Sequence, residues 1–101
     1  MELFPPPLLL VLNYETPHGF TDSLVYYPNE LEEAKNDARW FRDHGAPSQL
    51  ICIPTLGMLI EFGMKWIAKA STYRDCYDVG ESQRRQSIIS HTINRELKNY
   101  V

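Results

Sequence analysis

At 101 residues the chain has room for one domain and not for two. A hydrophobic share of 44% can offset chain entropy, which excludes global disorder, and a charged share of 23% is ordinary for a globular protein. The formal net charge of −3 gives a polyanion no general attraction.

That charge is unevenly spread. Residues 1–64 carry three basic side chains (Lys35, Arg39, Arg42) against nine acidic ones, a balance of −6. Residues 65–101 carry seven basic and four acidic, a balance of +3. Such a split suits a charged contact surface or a self-complementary homo-oligomer.

Residues 1–7, ending in Pro5-Pro6-Pro7, form a stiff lead-in that lacks three backbone donors. The domain proper spans residues 8–101. Glu2, the short apolar run and the missing small-residue cleavage site argue against a signal peptide. Leu8 to Tyr14 is apolar almost throughout, the pattern of a strand that is central or covered on both faces. Glu15 to Ser23 holds the turn formers Pro17, Gly19 and Asp22, with His18 at the tip, and Leu24-Val25-Tyr26-Tyr27 is rich in strand formers. Together they spell a hairpin with a longish loop.

Asn29 as cap with Glu32 three residues on marks the start of a helix, and Glu30, Glu32 and Glu33 suit its positive end. Leu31, Ala34, Ala38 and Phe41 make its apolar stripe, with Trp40 at the edge; His44 and Gly45 end it before Pro47. Gln49 to Ile53 reads as a short buried strand stopped by Pro54. Thr55 then caps a second helix, about Leu56 to Ser71, apolar most of the way round; the competing reading makes Met58 to Phe62 a strand. Gly57 and Gly63 weaken it by about 1 kcal/mol each.

A polar connector, Tyr73 to Gly80, leads to a third helix from about Ser82 to Lys98. At 100° per residue Ile89, Ile93, Leu97 and Tyr100 gather on one side, and Arg84, His91, Arg95 and Lys98 on the opposite one. The expected fold is a single small α+β domain: a three-stranded, largely antiparallel sheet with three helices, in the order ββαβαα. Its core is expected to comprise Leu8 to Leu12, Val25, Leu31, Ala34, Ala38, Phe41, Ile51, Ile53, Leu59, Phe62, Ile67, Ile89, Ile93 and Leu97.

The chemistry is sparse. There is no glycine-rich phosphate loop, HExxH, EF-hand loop or GxSxG, and no Cys/His spacing of a zinc site. No cofactor, metal or catalytic residue is therefore assigned. Cys52 and Cys76 read as free thiols of a reducing, cytoplasmic setting. Cys76, near Arg74 and a helix start, is a weak nucleophile candidate whose neighbours Asp75 and Asp78 oppose activation. No segment is long and apolar enough to span a membrane.

The surplus of amphipathic side chains points instead to contact with a protein. Tyr26, Tyr27, Trp40, Trp66, Arg84, His91, Arg95 and Lys98 are the expected partner-binding residues. The expectation is a small regulator or inhibitor; inhibitors of phage origin share this size and charge, which is an association only. The alternative is a nucleic-acid-binding accessory domain using Arg84, Arg85, Arg95 and Lys98.

Overall fold

The computed structural model describes residues 7–15, 19, 21–73 and 79–99, with backbone alone for 66–73 and 79–82. Three strands, β1 (Leu9–Glu15), β2 (Thr21–Tyr26) and β3 (Ser48–Ile53), form an antiparallel sheet in the order β2-β1-β3. A 3₁₀ turn at Pro28–Glu30 leads into α1 (Leu31–Asp43); α2 (Leu56–Tyr73) and α3 (Val79–Lys98) follow β3. The order is ββαβαα, as the sequence pattern predicts. Residues 58–62 are helical, so the strand reading of that segment falls.

The apolar run of β1 is explained by its place. It is the middle strand, and its side chains alternate between two cores. Leu9 and Val11 join Val25, Ile53, Leu59, Ile88 and Ile89 on the side of α2 and α3. Leu10 and Leu12 join Tyr26 and Ala34 under α1, with Leu31, Ala38, Phe41 and Leu50 packed around them. The sheet is thus sandwiched between helices on both faces.

The largest departures are at the ends of the elements. β2 begins at Thr21, so Asp22 is not a turn residue but a buried member of the strand. Asn29 does not cap α1: the carboxylate of Glu30 accepts the Tyr27 N–H at 2.8 Å and fixes the 3₁₀ turn instead. The cap at Thr55 holds, its Oγ1 accepting the Met58 N–H at 3.3 Å. Cys52 is exposed, because β3 is an edge strand rather than a buried one.

The end of α1 follows the sequence reading closely. Gly45 takes φ +76°, the Ala46 N–H donates to Phe41 O at 2.9 Å and the Gly45 N–H to Arg42 O at 3.1 Å. This pair of bonds closes the helix only if the residue after the cap is left-handed. Gly45→Ala is therefore expected to cost about 1–2 kcal/mol, read as a lowered urea midpoint.

Gly63 also has a use. A Cβ there would sit 3.2 Å from Cγ2 of Ile89, so the bare backbone lets α2 lie close against α3. Helix α3 itself is rotated from the expected orientation. Its inward residues are Arg85, Ile88, Ile89 and Thr92, with Ile93 at the margin, while Leu97 is exposed. The side chains of Ile67 and Trp66, and all of His18, Cys76 and Tyr100, lie outside the described residues.

Candidate functional site

Antiparallel pairing alternates, so every second residue of an edge strand turns its N–H and C=O outward. In the register Leu10↔Tyr26, Leu12↔Leu24 and Tyr14↔Asp22, the odd residues of β2 face out. Two of those outward carbonyls are occupied. Arg85 Nη1 donates to Ser23 O at 2.9 Å, and Arg84 Nη1 donates to Val25 O at 2.9 Å. Consecutive arginines of α3 thus close the β2 edge, a common way of blunting an exposed strand.

Both arginines are also ion-paired. Arg85 meets Asp22 Oδ1 at 3.3 Å, with the two residues 6% and 4% exposed. Asp22 is further held by the Tyr14 hydroxyl at 2.7 Å and the Ser23 N–H at 2.7 Å, and the Ser23 hydroxyl donates to Asn13 Oδ1. Arg84 meets Glu30 Oε2 at 3.4 Å and lies 5.8 Å from the centre of the Tyr26 ring. Among the described residues no buried side-chain polar atom lacks a partner.

The expected contact residues therefore separate. Tyr26 is buried and donates its hydroxyl to Asp37 at 2.6 Å, so it belongs to the core and not to a contact surface. Arg84 is tied to the β2 edge. Tyr27 is half-buried, with its ring edge-on to His91 at 6.4 Å. His91, Arg95 and Lys98 are exposed, and Arg95 lies 3.6 Å from Glu96. Trp40 is 56% exposed and stacks on His44 with ring centres 3.8 Å apart. Met58, Ile60 and Met64 of α2 and Leu97 of α3 add exposed apolar surface.

A surface that the sequence reading missed lies at the other edge of the sheet. The Glu15 N–H donates to Pro47 O at 3.1 Å, and Leu9↔Ile53, Val11↔Ile51 and Asn13↔Gln49 are partners. The odd residues of β3 therefore face β1, and Ser48, Leu50 and Cys52 turn their N–H and C=O outward. Among the described residues nothing pairs with them.

Beside this edge runs an open groove of about 790 Å³. Ala38, Ala46, Pro47 and Leu50 give it an apolar lining, and Lys35, Arg39 and Arg42 of α1 stand along it. Residues at these spacings share one helix face. The three are also all the basic residues of the first 64. Lys35 makes a loose surface pair with Glu32 at 3.7 Å, Arg39 Nη2 donates to Asn36 Oδ1 at 2.8 Å, and Arg42 has no ion-pair partner among the described residues. The signal was present as an i, i+4, i+7 cation row, hidden inside an acidic half.

Among the described residues no group of three or more His, Cys, Asp or Glu side chains is placed to hold a metal ion, and no helix is long and apolar enough to cross a membrane. Compared with known protein families, curated proteins and solved structures, the chain matches none.

Proposed function

We propose that the protein is a non-catalytic binding protein, a small regulator or inhibitor that acts by occupying the surface of a protein partner. One observation carries the reading: the two edges of one small sheet are treated in opposite ways. The β2 edge is closed by two arginine side chains, whereas the β3 edge has no strand or side chain paired with it among the described residues and lies beside a groove. Natural proteins usually blunt such edges, because an open one recruits another chain. Exposed Trp40, Met58 and Met64 support the same reading, since Trp and Met are enriched where proteins meet. An intracellular, cytoplasmic setting belongs with it, Cys52 being an exposed free thiol.

Nucleic-acid binding through α3 is the weaker reading, because the fold itself uses Arg84 and Arg85 and leaves Arg95 and Lys98. The two are separated by tagging the protein in its native host, purifying it and mapping the bound complex by hydrogen exchange. A stoichiometric protein partner, with slowed exchange on this chain, is the expected result. Recovery of nucleic acid alone, with affinity that falls steeply with salt, would replace contact with a protein by contact with phosphates.

A further inference from the structure

We infer that the β3 edge receives an extended acidic segment of the partner protein as a fourth strand, its carboxylates set against Lys35, Arg39 and Arg42. The inference rests on the binding reading above and names the occupant.

Two independent features converge on it. The outward N–H and C=O groups of Ser48, Leu50 and Cys52 repeat at every second residue, and an extended peptide backbone is the ligand that satisfies such a row. In an added strand every second side chain turns toward the α1 face of the sheet. There it meets the groove, with its apolar floor and three cations in line. Alternating carboxylates complement those cations, whereas alternating lysines are repelled.

A second copy of this chain is the obvious rival. Antiparallel pairing of two β3 strands requires a two-fold axis perpendicular to the sheet. That axis would set the two α1 helices side by side on one face, bringing both rows of Lys35, Arg39 and Arg42 together. Like charges oppose this arrangement. A single-stranded nucleic acid would satisfy the cations but not the strand's amide row.

The test uses the whole chain and a blocked peptide of about eight residues alternating valine and glutamate. Titration is followed by amide NMR. Binding is expected on the order of millimolar or tighter, with shifts and slowed exchange at Leu50 and Cys52. The double variant Arg39→Glu/Arg42→Glu, changed only at exposed positions, is expected to weaken binding about tenfold or more. Cys52→Pro removes one outward N–H without touching the β1 ladder and is expected to abolish binding, while Cys52→Ala binds as the parent does. A valine–lysine peptide of the same length is expected to leave these amides unshifted.

Equal binding of the lysine peptide, or indifference to the arginine variants, overturns the inference. So does a β3-mediated dimer that Cys52→Pro dissolves while the peptide fails to bind. Tighter binding of an oligothymidylate, unaffected by Cys52→Pro, assigns the groove to phosphates and overturns it too. If the peptide fails while the native partner still footprints Trp40 or α2, only the added strand falls and the binding reading stands.

Discussion

Asp22→Ala is expected to lower stability by about 3–5 kcal/mol, the range for breaking a buried ion pair by removing one partner. Asp22 is almost fully buried, and its carboxylate gathers the Tyr14 hydroxyl, the Ser23 N–H and Arg85. Without it the Arg85 guanidinium keeps the Ser23 carbonyl but loses the Asp22 carboxylate inside the fold. A domain of this size holds about 5–15 kcal/mol in all, so the variant should be close to its unfolding threshold. The paired replacement Asp22→Leu/Arg85→Met removes both charges at once and should recover only part of the loss, because the Tyr14 hydroxyl and the Ser23 N–H still lose the carboxylate and the Ser23 carbonyl loses the guanidinium. Urea denaturation of the two variants and the parent checks this. A cost below about 1 kcal/mol for Asp22→Ala would show that the pair is not held dry.

Leu59→Ala is the second large effect, at about 2–5 kcal/mol. Leu59 is wholly buried and is a side chain that α2 inserts among Leu9, Val11, Val25, Ile53 and Ile88. The truncation leaves a cavity between the sheet and the two-helix layer, which the close contact at Gly63 hinders from collapsing. Trp40→Ala makes the contrast. Trp40 is larger but exposed, lying on His44 and edge-on to Phe41, so its loss should cost less than about 1 kcal/mol. Thermal melts of the pair check the ranking. Equal costs would place Trp40 among the stabilising side chains and take it out of the contact surface.

The architecture was legible because its signals are local. The unbroken apolar run of Leu9 to Leu12 announces a middle strand, and Gly45 announces a helix end. The site was less legible because its signals are relational. On α3 the inward positions include Arg85 and Thr92, and polar residues facing inward break the periodicity from which a helix face is read. Ile93 and Leu97 then pull the inferred apolar face roughly 85° away from the true one. That rotation moves Arg84 from a free surface to the flank nearest β2, where it finds Val25 O. Tyr26 could not be placed outside or inside without knowing the strand's parity, which its bond to Asp37 reveals. No local pattern says that β3 is an edge, since Leu50 to Ile53 has the composition of an inner strand. Only the pairing order does.

The pairing order also sets a schedule. β1 can join β2 as soon as their hairpin exists, but its other side waits for β3, which follows the whole of α1. At ordinary rates of protein synthesis, making the chain from Tyr26 to Ile53 takes on the order of a few seconds. During that interval the most apolar strand of the molecule has one unsatisfied flank and no helix yet fixed over it. The growing chain is then most prone to pair with another copy of itself, so its yield in a cell should depend on chaperones that hold nascent strands apart.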